Sequence, residues 1–270
     1  MSAALTACVE LTALGPQGSV PSYIAAGHGC IARAVGATSG FVGVSVRLRP
    51  RRDDPLEGWR LPVFYAIGAK SREEAVAVEQ ELREETYVND AVVRAVIRDS
   101  GRHRVYHDPD PRKPPGRPNT LDEKYWTMLG LVDRLKLVYE VSDRVALHFG
   151  FDRTAGAEHF TARERGLLED VLLGLGPWAR RVALIHGFLE DQQPLSPRER
   201  DIACALLGHA TVKQIAAQLD ISEPRARELV RAVYRKLDVG SRAELASEWS
   251  AAPATAAALP VAMTRVRRRI

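Results

Sequence analysis

The side chains best placed to do chemistry lie between Thr211 and Arg242. Arg225, Arg227, Glu228, Arg231, Arg235 and Lys236 fall in one run, Glu223 to Leu237, with five Lys/Arg and two Glu. Turned at 100° per residue, Ala226, Val230, Val233 and Leu237 share one side of a helix. Glu228, Arg231 and Arg235 fall opposite, and Arg225, Arg227 and Lys236 lie towards the flanks. Guanidinium groups on an outward helix face suit a polyanion, because arginine can bond a guanine edge through two atoms while lysine holds a phosphate. Arg225, Arg227, Glu228 and Arg231 are therefore the expected contacts to base edges or nearby phosphates. Thr211, Lys213, Arg235, Lys236 and Arg242 are the expected phosphate contacts, and Ser222 joins the set at the start of the helix.

Other reactive residues point nowhere as firmly. His103, His107, Asp108 and Asp110 cluster, but Pro109 and Pro111 prevent the helix that would put the histidines on one side. That cluster reads as a solvated turn and not as a metal site. His28 and Cys30 are two apart on a helical pattern and do not face each other. Neither a glycine-rich phosphate loop nor a nucleophile elbow appears. The expectation is no enzyme, no catalytic residue, no metal and no cofactor.

The elements that must hold the basic face announce themselves by their caps. Ser196-Pro197-Arg198-Glu199, Thr211-Val212-Lys213-Gln214 and Ser241-Arg242-Ala243-Glu244 each read as a capping box, and Ser222 stands before Glu223-Pro224. Val212, Ile215, Ala216 and Leu219 make the apolar side of a short helix, and Leu219-Asp220-Ile221-Ser222 links it tightly to the basic one. Two such helices at a steep angle form a helix-turn-helix, whose second helix fits the major groove of double-stranded DNA.

Residues 195–248 resemble the LuxR-type DNA-binding domain, a four-helix module. The resemblance is carried by Leu195-Ser196-Pro197-Arg198-Glu199-Arg200, Lys213-Gln214-Ile215-Ala216, Leu219-Asp220-Ile221-Ser222-Glu223 and the close from Val233 to Leu245. There are departures. His209 stands where a turn glycine is expected, with Gly208 one place early, and Pro224, Arg225 and Ala226 replace the usual lysine, threonine and valine. Leu229 occupies a position commonly polar. The resemblance implies a sequence-specific transcriptional regulator acting as a homodimer, with a dimer contact near Ala243 to Trp249. The alternative is an interaction module that contacts RNA polymerase or another regulator and does not itself read DNA; RNA polymerase is also an expected contact of the regulator.

Charge is divided unevenly. From Pro194 onward there are thirteen Lys/Arg against eight Asp/Glu, whereas the preceding residues carry 25 against 26. All the excess positive charge thus lies where a polyanion would be met. Four of the thirteen are Arg265, Arg267, Arg268 and Arg269, in a stretch rich in Ala, Pro and Thr that reads as a flexible tail. Without them the helix-turn-helix is only slightly positive, so binding must rest on where its arginines stand. Three widely spaced cysteines suggest reduced thiols and a cytoplasmic setting. No apolar run approaches the ~20 residues of a membrane helix, so no membrane partner is expected.

The front two-thirds reads as a mixed domain. Tyr23 to Val35 is a helix pattern; Phe41 to Arg49 and Leu61 to Ile67 alternate as strands; Ser71-Arg72-Glu73-Glu74 looks like a capping box. Arg134 to Val141 and Arg144 to Phe151 suggest a hairpin, and a long helix is expected from Arg163 to Leu189, broken or kinked at Gly176-Pro177 and able to pair two input domains. Asp108 to Thr120, with five prolines, is an irregular segment: a solvated loop or a cover over a pocket. This order, with Asp152-Arg153 and Phe160-Thr161-Ala162-Arg163-Glu164-Arg165, resembles GAF and PAS-like sensor domains. A phospho-receiver lacks its acidic cluster here. An acyl-homoserine-lactone sensor lacks its Trp/Tyr/Asp/Trp pattern, with Trp59 placed in a loop and Trp126 in a helix.

The fold class expected is α+β: a GAF/PAS-like α/β sensor domain, then an all-α four-helix LuxR-type helix-turn-helix. The boundaries are 1–187 for the input domain, 188–195 for a linker, 196–250 for the DNA-binding domain and 251–270 for the tail. A small-molecule ligand is left open, with no residues assigned to it.

Overall fold

The computed structural model describes residues 2–16, 19–50, 52–89, 91–108 and 121–252. Two helices open the chain. α1 (Ala3–Ala13) starts where the Ser2 hydroxyl accepts from the Leu5 N–H, and α2 (Val20–Val35) starts at Ser19 and stops at Gly36, whose φ of 64° is left-handed. Then come β1 (Ser39–Arg47), β2 (Trp59–Ile67), α3 (Ser71–Glu84), a 3-10 turn (Thr86–Asn89), α4 (Ala91–Arg98), β3 (Arg104–Asp108), α5 (Leu121–Leu129), β4 (Leu131–Ser142) and β5 (Val145–Thr154). α6 (Ala162–Leu172) and α7 (Gly176–His186) follow. The chain closes with α8 (Pro197–Leu207), α9 (Val212–Gln218), α10 (Glu223–Lys236) and α11 (Arg242–Ser250).

The five strands form one sheet in the order β2-β1-β5-β4-β3, every pair antiparallel. The β4–β5 hairpin lies where alternation placed it. On one face of the sheet Val42, Val44, Leu147 and Phe151 pack beneath α2 and α7; α3, α4 and α5 cover the other. Mixed sheet and helix in front, helices alone behind, is the expected class. The apolar core does not stop between the two parts. One cluster of buried side chains runs from Ala4 on α1 through Trp178 and Ile185 on α7 to Ile202, Leu245 and Trp249.

Several expectations need correction. α1 has no counterpart in the sequence reading, and α2 begins at Val20, ahead of Tyr23. The helix expected from Arg163 to Leu189 is broken, but at residues 173–175, so that Gly176-Pro177 open the second helix, which ends at His186. Gly174 sits against Cys8 of α1, leaving no room for a side chain there. Trp178, Ala179, Val182, Ala183 and Leu184 of α7 are wholly buried, so α7 has no apolar face with which to pair a second input domain. Ser71 is not a cap: Lys70 holds that position without a side-chain bond, because the helix starts at Ser71 itself, one residue earlier than the box requires. Trp59 is not in a loop but opens β2 and is buried. The segment 109–120 and the tail arginines from Arg265 lie outside the described residues.

Candidate functional site

Ser222 ends the extended link from α9 with its hydroxyl accepting from the Arg225 N–H at 3.4 Å. Pro224 occupies the first turn, where its missing N–H costs nothing. Ala226, Val230, Val233 and Leu237 are buried, which turns Arg225, Arg227, Glu228, Arg231 and Arg235 outward, all exposed. Two of these carry local partners: Arg225 Nη1 lies 2.8 Å from Glu228 Oε2, and Arg227 Nη2 2.9 Å from Glu223 Oε2. Pairs this open to water contribute ~0–1 kcal/mol, so a phosphate or base edge can replace the glutamates. Leu229 is half-buried against the core and does not interrupt the basic face.

α9 packs against α10. Thr211 and Gln214 cap it reciprocally: Gln214 N donates to Thr211 Oγ1 at 3.2 Å, and Thr211 N donates to Gln214 Oε1 at 2.7 Å. Lys213 is exposed on the same first turn. The turn before α9 needs a left-handed residue; His209 supplies it with φ 64°, at the place where glycine was expected.

Two members of the expected set are engaged elsewhere. Lys236 Nζ is 2.7 Å from Glu199 Oε2 and 3.5 Å from the Pro194 carbonyl, so its ammonium ties the end of α10 to the start of α8. Burial works to raise the Glu199 carboxyl, but the bonds from Lys236 and Ser196 outweigh it and hold its pKa below the usual value. Arg242 donates to the Ala210 carbonyl and joins α11 to the turn before α9. Neither tie could be read from spacing, since the partners lie 37 and 32 residues away.

Residues 193–248 match the family model described as "Bacterial regulatory proteins, luxR family". This segment is a luxR-family domain. Among solved structures the whole chain is similar to the crystal structure of Escherichia coli SdiA, at 14% identity over 95% of this chain and 96% of that one, with a TM-score of 0.40. It is likewise similar to SdiA in complex with octanoyl-rac-glycerol, at 14% identity over 91% and 92%, also with a TM-score of 0.40. No curated protein matches the chain in sequence.

The luxR-family domain shares the molecule with a cavity that sequence reasoning missed. Between the sheet and the helices α3, α4 and α5 lies a space of about 200 Å³. A water needs only about 10–15 Å³ on this measure, so the space admits a small organic molecule. Its walls are apolar: Leu56, Phe64, Val78, Leu82, Val96 and Ile97. Its sheet side is polar, with Ser45, Arg134, Lys136 and His148. Arg134 is fixed by two bonds to Asp152, at 2.6 and 2.8 Å, both side chains being buried. Ser45 Oγ is 2.7 Å from His148 Nε2, and burial holds that imidazole neutral by pulling its pKa to about 3.

The Trp59 indole N–H in the wall has no hydrogen bond among the described residues, and the Glu74 carboxyl, which is 4% exposed, lines the same space. Burial pushes Glu74 up to about 7, against the pull of Arg134 and with a further push from Asp152. An orphan donor beside a buried carboxyl in an apolar cavity is what a polar ligand would satisfy. Both residues sit in segments whose exposure the sequence misreported, a supposed loop and a supposed cap.

No group of three metal-ligating side chains occurs among the described residues. His107 does meet a carboxylate, Asp133, but from strand β3. No helix among the described residues is long and apolar enough to cross a membrane.

Proposed function

We propose that the chain is a homodimeric, cytoplasmic, sequence-specific regulator of transcription, in which a small molecule held in the front cavity adjusts DNA binding. The observation that carries this is the outer face of α10: Arg225, Arg227, Arg231 and Arg235 stand exposed on the second helix of a luxR-family helix-turn-helix. That helix enters the major groove and its first turn reads base edges. One module spans too few base pairs for specificity, so two copies reading two half-sites pair through α11, near Ala243 to Trp249. We place the input domain at 1–187 and the DNA-binding domain at 196–250. The ligand has an apolar body for Leu56, Phe64 and Val78 and a polar group that donates to Glu74 or accepts from Trp59.

Arg227→Ala tests the reading. On a duplex selected from random sequence, the variant binds at least tenfold more weakly, in line with ~1–3 kcal/mol per base contact. Unchanged affinity in a gel shift removes Arg227 from the interface. Selection that enriches no sequence, with RNA polymerase co-purifying, turns the reading to an interaction module instead.

A further inference from the structure

The front domain and the DNA-binding domain leave an open cleft of about 950 Å³ between them, which shares no lining residue with the cavity under α3, α4 and α5. Two large apolar side chains in its wall are left to solvent: Leu173, 81% exposed, and Leu48, 54% exposed. Four exposed carboxylates line it as well: Asp143 of the β4–β5 turn, Glu190 and Asp191 of the linker, and Asp238 just past α10. None of the four forms an ion pair with another described residue. Of the arginines in the wall, Arg47 pairs with Glu57 at 3.4 Å and Arg180 with Glu248 at 2.5 Å, which leaves only Arg144 against the four carboxylates. Exposed apolar side chains beside an excess of negative charge suit a partner that is both apolar and basic.

The chain carries such a segment and delivers it to the rim. Glu248 lines the cleft, α11 ends at Ser250, and the backbone turns extended at Ala251 with ψ 138°. Pro253 to Ile270 lie outside the described residues, but their sequence has the required chemistry. Leu259, Val261 and Met263 stand two apart, followed at the same spacing by Arg265, Arg267 and Arg269. In an extended segment these side chains share one side, apolar first and basic after. Leu259 is seven residues past Ala252, a reach of up to about 25 Å. So short a tether presents the segment to the cleft at an effective concentration on the order of millimolar. Surface ion pairs that are weak one by one then suffice to hold it.

We propose that residues 259–270 dock in cis in this cleft, with Leu259, Val261 and Met263 against Leu48 and Leu173 and the tail arginines against Asp143, Glu190, Asp191 and Asp238. The docked segment spans both domains, because those carboxylates come from the front hairpin, the linker and the end of α10. It also answers the charge imbalance of the chain: the arginines that supply most of the positive excess meet carboxylates of the same molecule and are withheld from any other polyanion until they leave. This docking does not depend on what α10 reads.

Trypsin added to the full-length protein at low ionic strength reads the docking, with cleavage after Arg265 followed by mass spectrometry. That cleavage is about tenfold slower than in a synthetic peptide of residues 253–270. D143N/E190Q/D191N restores most of the peptide's rate, and so does about 0.5 M NaCl, since both weaken the attraction between the charges. L173A, which alters an exposed side chain, gives a smaller rise of the same sign. Cleavage within residues 2–252 stays at the wild-type rate in each variant, which separates release of the tail from unfolding. Equal rates in protein and peptide overturn the proposal, as does slow cleavage that neither the charge variant nor salt accelerates, or a rise at tail and body alike. Protection that strengthens with protein concentration assigns the cleft to another copy's tail and overturns docking in cis.

Discussion

Glu74 is the residue whose chemistry the fold has altered in the most testable way. Its carboxyl titrates near 7 when folded and near 4.5 when unfolded. Below about 4.5 both states are protonated and the residue adds no pH dependence. Between 4.5 and 7 the folded state holds more protons than the unfolded one, so stability falls as pH rises. At roughly 1.4 kcal/mol per unit, the loss approaches about 3 kcal/mol above pH 7. Glu74→Gln has no such loss: its urea midpoint rises relative to wild type from pH 5 to 8, and equal pH profiles for the two proteins would contradict the environment described. The basic residues of α10 were legible by contrast, because an apolar stripe on the same helix dictates which way they point. Glu74 was not, because its position is set by a sheet face that the local sequence does not contain.

At the scale of elements, the helix starts of the DNA-binding domain were legible locally, whereas the Ser71 box and α1 were not. The caps at Ser196, Thr211 and Ser222 stand where the sequence placed them, because each depends on residues within three positions. The hairpin of β4 and β5 was equally plain, since both strands alternate about a two-residue link. What the sequence did not show includes contacts with distant partners: Gly174 sits against Cys8 of α1, and Lys236, on the flank of α10, pairs with Glu199 on α8. α9 offers a test of the local account. It has seven residues, fewer than an isolated helix needs to form, so its cap carries much of its stability. Thr211→Ala removes the hydroxyl that accepts from Gln214 N and donates to Gln214 Oε1, leaving only the backbone N–H of residue 211 on Gln214 Oε1. The expected cost is ~1 kcal/mol in the urea midpoint, with faster amide exchange confined to α9. DNA affinity falls with it, because α9 packs against α10; a midpoint unchanged within about ±0.5 kcal/mol, the scatter of surface substitutions, would remove the cap from the account.

For the whole molecule, the question is whether the two parts unfold as one. The join is not a loose tether. Leu195 N donates to His186 O at 3.0 Å, and Gln193 N donates to Lys236 O at 2.8 Å, so the expected linker caps the end of α10. His186 lies at the centre of this seam. Its Nδ1–H donates to Val182 O at 2.6 Å, which leaves Nε2 to accept from the Tyr65 hydroxyl of β2 at 2.9 Å. Burial first, and the nearby Arg200 charge second, pull its pKa to about 3. The folded state therefore refuses a proton that the unfolded chain takes near 6.5. Stability from this residue is complete above 6.5 and is lost as pH falls towards 3, opposite in sign to the Glu74 effect. In a Glu74→Gln background the acid slope is left to histidines such as His186 and His148. There, tryptophan emission and helical dichroism give coincident melting curves at pH 7 and again at pH 5, with the lower midpoint at pH 5. His186→Gln, which cannot be protonated, reduces the difference between the two pH values. Melting curves that separate would mean that the buried cluster joining α7 to α8 and α11 does not bind the parts into one cooperative unit, and the front cavity would then lack a rigid route to the helix that meets DNA.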